Sequence, residues 1–170
     1  LRHKLMQGYA GAFVKSDLQA QRFTSVGVQN ITVTGELRFD QPIPPEQITA
    51  AEGLRPLLAG DRPVITFASA VEGEDDLYLD AITAALKHPS RPFVVYVPRK
   101  PERFDEVAGM LAARGLKAIR RSAVLDATLA PKNLPAPPWG GDGGGGQAGE
   151  ITPDILLGDS LGEMYFYIAL

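Results

Sequence analysis

Short apolar runs alternate with amphipathic stretches along most of this chain. The clearest run is 93–97, Phe-Val-Val-Tyr-Val, which is apolar throughout, as in a strand buried on both faces of a parallel sheet. Residues 12–14 form another short apolar run, and apolar and β-branched clusters predict further strands over 31–34, 64–67, 117–120 and 155–157. Helical spacing of apolar residues predicts helices after Ser16 and Asp17, around 48–58, over 74–87 and 101–114, and from Ser160 onward.

This alternation of strands and helices indicates an α/β fold with a parallel sheet and helices on both of its faces. In such sheets ligands bind beyond the carboxyl ends of the strands. The loops that follow the predicted strands are therefore the places to look for functional residues.

Prolines at 42, 44 and 45 form a stiff, extended segment that suggests a boundary between two domains. We expect 1–40 to be the end of one domain, 41–62 to be a connector with a first helix, and 63–170 to be part of a second domain. Residues 126–150 are rich in glycine and proline, and we expect them to form a disordered loop. The chain begins at Leu1 and stops inside an apolar run, so we expect it to be a piece of a longer protein.

The composition excludes several classes of site. The 170 residues include no cysteine and two histidines, which rules out thiolate catalysis and makes a multi-histidine metal site an unattractive hypothesis. Seventeen Lys and Arg residues stand against 20 Asp and Glu, a net charge of -3, which argues against a nucleic-acid binder that relies on bulk positive charge. No apolar run reaches the roughly 18 residues that a membrane span needs.

The loop after the strand at 64–67 reads Ala-Ser-Ala-Val-Glu-Gly-Glu over 68–74. Small residues ahead of a helix allow backbone N–H groups to approach an anion. Ordinary helix capping also explains Ser69 and Glu74, and from these residues alone capping is the favoured interpretation.

The loop after the strand at 93–97 carries three cations, at 99, 100 and 103, and is stiffened by prolines at 98 and 101. Arg99 lies closest to the strand end, where its guanidinium is suited to a phosphate or carboxylate. A ligand role is the favoured interpretation for Arg99. For Arg103, a surface ion pair with Glu102 is a competitive alternative.

The segment Gly-Asp-Ser-Leu-Gly-Glu, 158–163, follows the strand at 155–157. Ser160 and Glu163 have the spacing of a capping box, which predicts that they cap the last helix. Gly162 would then lie in the first helical turn, where glycine is about 1 kcal/mol less favourable than alanine. A glycine kept there suggests that a ligand approaches the backbone, and this role is compatible with capping.

Four segments, in this order along the chain, resemble the signature segments of the 3-deoxy-D-manno-octulosonic acid (Kdo) transferases. They are 35–40, 69–74, 98–104 and 158–164, and the family patterns are roughly Gly-Asn-x-Lys-Phe-Asp, Ser-Thr-His-x-Gly-Glu, Pro-Arg-His-Pro-Glu-Arg-Phe and Gly-Asp-Thr-Met-Gly-Glu-Leu. Residues 17–27 also resemble the family segment that precedes the first of these. The resemblance covers nearly the whole chain outside 126–150.

The resemblance implies a GT-B glycosyltransferase fold, with the end of an N-terminal Rossmann-like acceptor domain and most of a C-terminal parallel-sheet Rossmann-like donor domain. It implies transfer of Kdo from CMP-Kdo to a lipid A precursor, lipid IVA, in lipopolysaccharide biosynthesis at the cytoplasmic face of the inner membrane. It implies no cofactor, no metal and no nucleic acid. The membrane-anchoring part and the Glu that serves as base would both lie upstream of Leu1, so we expect this piece to be inactive alone.

Site residues carry over where the motifs match. The residues expected to bind the CMP part of CMP-Kdo are Pro98, Arg99, Leu161, Gly162 and Glu163. Ser69 is a further candidate for that site. Arg38 matches a family lysine that is thought to stabilise charge in the transition state, whereas a lone Arg in a linker is usually solvated.

Two alternatives to a Kdo transferase stay open at this point. Ala70 and Val71 replace the family's Thr-His pair, which motivates a divergent member that binds CMP or another nucleotide without turnover. The other alternative is a GT-B transferase that uses a different nucleotide sugar, with Arg99 still placed at a phosphate.

Overall fold

The structure is a computed structural model that describes residues 2–6, 8–132 and 153–170. Within these ranges the chain divides into two compact units, Leu1–Ile43 and Pro44–Leu170. The division falls inside the proline segment, where the fixed backbone angle of each proline favours an extended chain.

The first unit contains two short parallel strands and two helices. Its elements are α1 (Arg2–Met6), β1 (Ala12–Val14), α2 (Asp17–Ser25), β2 (Ile31–Val33) and a 3₁₀ turn (Leu37–Asp40). Ala12 of β1 is in register with Ile31 of β2. Ser16 caps α2, as predicted, because its side-chain oxygen accepts a hydrogen bond from the Gln19 amide.

The second unit alternates helices and strands. Its helices are α3 (Pro45–Leu58), α4 (Asp75–Ala85), α5 (Phe104–Ala113), α6 (Arg121–Val124) and α7 (Met164–Ala169). Its strands are β3 (Val64–Ala70), β4 (Phe93–Pro98), β5 (Ala118–Arg120) and β6 (Ile155–Leu157). A 3₁₀ turn, Pro101–Arg103, precedes α5 and replaces the start of the helix predicted from residue 101.

The four strands form one parallel sheet in the order β3-β4-β6-β5. Every residue of β4 is buried, as its continuous apolar sequence predicts. Its alternate side chains enter two separate cores. One core packs against α3, α6 and α7, and the other packs against α4 and α5. The predicted α/β class with a parallel sheet and helices on both faces is confirmed.

The last helix begins at Met164 and not at Ser160 as predicted. Gly162 has φ +78°, a left-handed conformation that helical residues do not adopt. Residues 160–163 therefore form a turn after β6, and α7 begins only after that turn. We refer to residues 160–163 as the β6 turn.

The predicted disordered loop, 126–150, is described only at its start. Asp126 there accepts hydrogen bonds from the backbone amides of Thr128 and Ala130, and Leu125 bridges to Pro131. Residues 126–132 thus form a hydrogen-bonded turn, unlike the predicted disorder. The rest of the predicted loop, 133–150, lies outside the described residues.

Candidate functional site

One cavity lies beyond the carboxyl ends of β4 and β6. It encloses about 430 Å³, including its open mouth. Its lining residues come from the ends of β3 and β4, the β6 turn and α7: Ser69, Val97, Pro98, Arg99, Ser160, Leu161, Gly162, Glu163, Met164 and Tyr167. The neighbouring parallel strands β4 and β6 end side by side, so their following loops meet at this edge of the sheet.

The structure brings together the six candidate residues predicted in the second unit, namely Pro98, Arg99, Leu161, Gly162, Glu163 and Ser69. Their role in binding CMP stays a prediction. Arg38 belongs to the first unit, where it is exposed in the 3₁₀ turn Leu37–Asp40. Its predicted role in the transition state likewise stays a prediction.

Arg99 is exposed at the mouth of the cavity, while its backbone is fixed. Its amide donates a hydrogen bond to the carbonyl of Ala70 at 2.9 Å, which ties the loop after β4 to the end of β3. Within the described ranges, no carboxylate pairs with the Arg99 guanidinium. The next cation, Lys100, lies 3.6 Å from the Glu72 carboxylate. Arg99 is thus the cation available to an anionic ligand here.

Ser69 does not cap a helix, so the capping interpretation is wrong for this residue. It lies inside β3, where the pairing with β4 shifts between Ala68 and Ala70, and its φ is +60°. A bulge of this kind redirects a side chain out of the regular strand pattern. A non-glycine residue in the left-handed region is uncommon and is often found at functional sites. Here the bulge places Ser69 on the cavity wall.

The interpretation of Glu74 as a side-chain cap is also wrong. It occupies the N-cap position of α4, but its side chain makes no capping hydrogen bond. Its carboxylate instead accepts a hydrogen bond from the Tyr78 hydroxyl at 2.9 Å, one helical turn further on. The N-cap backbone of Glu74 is close to helical, φ −103° and ψ −1°, whereas side-chain caps usually have extended backbone.

The predicted capping box at Ser160 and Glu163 is wrong as well. The Ser160 hydroxyl hydrogen-bonds to one oxygen of the Glu163 carboxylate and lies 2.6 Å from the Tyr167 hydroxyl. The other carboxylate oxygen pairs with the guanidinium of Arg121, which is buried. A buried full positive charge attracts the carboxylate more strongly than a neutral amide does, which explains why Glu163 turns toward Arg121.

Gly162 owes its presence to backbone conformation. A Cβ built on it would meet no atom within 4 Å, so close packing does not require glycine there. The positive φ of Gly162 requires glycine, because other residues adopt the left-handed region at a cost of about 1–2 kcal/mol. The sequence interpretation, in which a ligand approaching the backbone explains the glycine, is therefore not needed.

Gln47 of α3 is a residue of this site that the sequence analysis missed. Its side-chain amide donates to the Gly162 carbonyl at 2.9 Å, and its side-chain oxygen accepts from the Phe166 amide at 3.1 Å. Gln47 is buried with Ala51, Leu54 and Leu58 on one face of α3. A polar amide at the head of an otherwise apolar helix face was the signal available in the sequence.

Tyr167 lines the cavity and Gly158 packs against its ring, and the sequence analysis missed both residues. Burial raises the pKa of the Tyr167 hydroxyl, while its hydrogen bond with Ser160 acts in the opposite direction. A Cβ on Gly158 would lie 2.8 Å from the Tyr167 ring and 3.0 Å from Val97. Glycine is therefore required at 158 so that the tyrosine ring can pack over the end of β6.

Asp159 fixes the start of α6 beside the cavity. Its carboxylate accepts hydrogen bonds from the Ser122 amide at 2.8 Å and from the Ser122 hydroxyl at 2.5 Å. Both oxygens of the Asp159 carboxylate thus accept hydrogen bonds from α6, so the role of this carboxylate is structural.

A second polar cluster, on the other face of the sheet, corrects the interpretation of Arg103. Arg103 is 4% exposed and donates to the Asp75 carboxylate at 2.8 and 3.3 Å and to Glu106 at 3.1 Å. The predicted surface pair with Glu102 is therefore wrong. The Tyr96 hydroxyl also donates to Asp75, at 3.1 Å. Hydrophobic packing of β4 and α5 buries this end of the loop, which a local sequence pattern does not reveal.

The cluster shifts the pKa values of its members. Burial acts to raise the pKa of the Asp75 carboxyl, but the hydrogen bonds from Arg103 and Tyr96 outweigh burial and hold it below its ordinary value. Burial, together with the neighbouring Asp75 carboxylate, raises the pKa of Tyr96. The hydrogen bonds to Asp75 and Glu106 raise the pKa of Arg103. The ionised pair is thus the favoured state at neutral pH.

Residues 2–6, 8–132 and 153–170 contain no group of three or more His, Cys, Asp or Glu side chains arranged to hold a metal ion. Among these residues no helix combines the length and the apolar character needed to cross a membrane.

The chain is similar to three curated proteins of one name. It is 36% identical over 167 residues to the 3-deoxy-D-manno-octulosonic acid transferase of Bordetella pertussis, a match that covers 96% of this chain and 34% of the relative. It is 29% identical over 152 residues to that of Haemophilus influenzae, covering 88% and 30%, and 23% identical over 170 residues to that of Rickettsia bellii, covering 98% and 34%. The chain thus spans about a third of the length of the relatives it matches.

Among solved structures, the crystal structure of the C-terminal CMP-Kdo binding domain of WaaA from Acinetobacter baumannii matches with a TM-score of 0.49 and 26% identity. That match covers 71% of this chain and 52% of the other. No protein-family model matches the chain.

Proposed function

Because this chain belongs to the Kdo transferase family, we propose that its cavity binds the CMP part of the sugar donor CMP-Kdo. The whole protein is then a GT-B glycosyltransferase that transfers Kdo to a lipid A precursor. The second unit supplies part of the donor domain in this proposal, and the first unit supplies the end of the acceptor domain.

One observation carries the proposal: the Arg99 loop and the β6 turn line the same cavity. These are two of the four segments that resemble the family's signatures, and they are about 60 residues apart in sequence. The parallel pairing of β4 with β6 brings them together. Ligands of α/β sheets bind at this edge.

The charges of the cavity suit a nucleoside monophosphate. The acceptor hydroxyl attacks the anomeric carbon of Kdo and loses its proton to a base, while the bond from that carbon to the phosphate oxygen breaks. CMP leaves with that bond's electron pair, so negative charge on its phosphate increases as the reaction proceeds. A cation at this position stabilises the increasing charge and lowers the barrier. Arg99 is the residue we propose for that role.

Glu163 does not oppose an anion here, even though it lines the cavity. Its carboxylate is paired with Arg121 and hydrogen-bonded to Ser160, so its negative charge is compensated inside the protein. We therefore expect Glu163, like Leu161 and Gly162, to meet the ligand through its backbone. Pro98 and Ser69 complete the wall on the side of β3 and β4.

Three elements of the proposal concern the whole protein. Arg38 would stabilise negative charge in the transition state, because its segment matches the family's Gly-Asn-x-Lys-Phe-Asp pattern. The acceptor would be lipid IVA. The enzyme would act at the cytoplasmic face of the inner membrane, where the lipid acceptor is accessible.

The direct test is calorimetric titration of the intact protein with CMP, comparing wild type with Arg99→Ala. Hydrogen bonds to a charged group contribute about 1.5–3 kcal/mol. We therefore expect CMP affinity to fall by roughly 10- to 150-fold. The proposal is contradicted if Arg99→Ala binds CMP as tightly as wild type.

Lys100→Ala is the matched control, since it removes a cation from the same loop. Lys100 is exposed and faces Glu72, so we expect CMP affinity to change little. Titrations with UDP and GDP test the alternative that the protein uses a different nucleotide sugar. Tighter binding of UDP or GDP than of CMP would favour that alternative. Transfer of Kdo by the intact protein, or rescue of a transferase-deficient strain, separates an enzyme from a binder without turnover.

A further inference from the structure

Gln47 connects α3 to the β6 turn and to α7, which lie 115 and 119 residues further along the chain. Gln47 is 8% exposed, and both the NH₂ group and the oxygen of its side-chain amide form hydrogen bonds. The NH₂ group donates to the Gly162 carbonyl, and the oxygen accepts from the Phe166 amide in α7. The two contacts hold the β6 turn at a fixed place relative to α7.

The contact with Gly162 fixes the orientation of a peptide group. In a trans peptide the carbonyl and the N–H point in opposite directions. Because Gln47 binds the carbonyl of Gly162, the N–H of the same peptide, which belongs to Glu163, points away from Gln47. Both Gly162 and Glu163 line the cavity.

The Glu163 N–H has no acceptor among the backbone and side-chain groups that the structure describes. A peptide donor without a protein partner is satisfied by water or by a ligand. Arg99, which has no carboxylate partner among the described residues, lines the same cavity. An anion bound by both groups would receive a hydrogen bond from each of them.

We propose, on the basis of the CMP site proposed above, that Gln47 is a positioning residue for the phosphate of the nucleotide. It touches no substrate itself. It acts by holding the Gly162–Glu163 peptide with its N–H directed at the phosphate that Arg99 binds. Without Gln47 the peptide is free to rotate, because glycine at 162 tolerates many backbone conformations.

The test compares two ligands on one variant of the intact protein. Gln47→Met keeps the length of the side chain and removes both hydrogen bonds. CMP carries the phosphate and cytidine lacks it, so we expect CMP affinity to fall about tenfold and cytidine affinity to stay within about twofold. Loss of stability alone would affect the two ligands equally, so their ratio isolates the positioning role.

Gln47→Glu is the second variant. It keeps an oxygen for the Phe166 amide but faces the Gly162 carbonyl with another oxygen, so the same selective loss of CMP affinity is expected. Glu46→Gln, an exposed change on the same helix, is the control and should alter neither affinity.

Equal losses for CMP and cytidine in Gln47→Met, or no loss for either, would overturn the positioning role and leave the proposed function standing. A wild-type protein that binds CMP no better than cytidine would contradict the proposed function, and this inference with it. The two failures are therefore distinguishable.

Discussion

Two buried arginines, Arg103 and Arg121, have similar partners on opposite faces of the sheet but differ in how completely they are satisfied. Each pairs with a carboxylate, Asp75 or Glu163, and each of these clusters includes a buried tyrosine hydroxyl. The Nε, Nη1 and Nη2 atoms of Arg103 all donate hydrogen bonds to carboxylate oxygens. The Nε atom of Arg121 is buried and has no partner among the described residues.

The difference separates a structural cluster from a cluster that borders a site. The Arg103 cluster ties the first residue of α4 to the turn before α5, so it fixes the loops after β3 and β4 relative to each other. The Arg121 cluster includes Ser160 and Glu163 of the β6 turn, and Arg121 neutralises Glu163 at the cavity wall. Substitutions that break the Arg103 cluster should mainly lower the stability of the protein. Substitutions near the Arg121 cluster should also lower the affinity for CMP.

The largest expected effect on stability is that of Asp75→Ala. It leaves Arg103 buried with Glu106 as its remaining carboxylate partner, and removing one member of a buried ion pair costs about 3–5 kcal/mol. Urea denaturation measures the free energy of unfolding. Asp76→Ala is the control, because Asp76 is highly exposed and its pair with Arg114 should contribute little. Equal decreases in the free energy of unfolding for Asp75→Ala and Asp76→Ala would show that the Arg103 cluster does not stabilise the fold.

Acid titration of the same variant provides a second measurement. The folded-state pKa of Asp75 lies below its ordinary value of 3.8, so the folded protein binds fewer protons than the unfolded chain in this range. The stabilisation from Asp75 is then fully present above about pH 4 and is lost as the pH falls through the folded-state pKa. The difference in unfolding free energy between wild type and Asp75→Ala should accordingly narrow below pH 4.

The sheet was predictable from sequence, because β4 is apolar at every position and the runs at 64–67 and 155–157 have no competing interpretation as amphipathic helices. The meeting of Arg99 with the β6 turn was also predictable, since both follow strands of one parallel sheet. These are consequences of chain topology, which periodic patterns reveal.

The partners of the charged side chains were not predictable. Sequence spacing suggested local interpretations: an ion pair of Glu102 with Arg103 as a competitive alternative, and a capping box formed by Ser160 and Glu163. The structure instead pairs residues 28 and 42 positions apart, Arg103 with Asp75 and Arg121 with Glu163. Buried charges choose the partner that packing brings to them, because leaving them unpaired is strongly unfavourable. Capping is worth only about 1 kcal/mol, so it yields to such pairs.

A smaller effect on stability is expected at Gly158, beneath the tyrosine of the Arg121 cluster. In Gly158→Ala the new Cβ would lie 2.8 Å from the Tyr167 ring, so ring and strand must shift. Overpacking of this kind costs about 1–3 kcal/mol. Because Tyr167 lines the cavity, CMP affinity should fall as well.

Gly109→Ala is the matched change on α5, beside the Arg103 cluster. A Cβ at 109 meets nothing within 4 Å, and alanine is favoured over glycine inside a helix by about 0.5–1 kcal/mol. The midpoint temperature of thermal unfolding should therefore be higher for Gly109→Ala than for wild type, and lower for Gly158→Ala. The assigned packing around Tyr167 is wrong if both substitutions stabilise the protein.

The smallest effect is expected for Tyr167→Phe, which removes only the hydroxyl that meets Ser160 at 2.6 Å. A hydrogen bond between neutral groups contributes about 1 kcal/mol to the free energy of unfolding. Tyr96→Phe removes the corresponding hydroxyl of the other cluster, which donates to the ionised Asp75, and should cost more, about 1.5–3 kcal/mol. Chemical denaturation of both variants measures the difference. Equal losses would contradict the assignment of an ionised acceptor to the Tyr96 hydroxyl and a neutral partner to the Tyr167 hydroxyl.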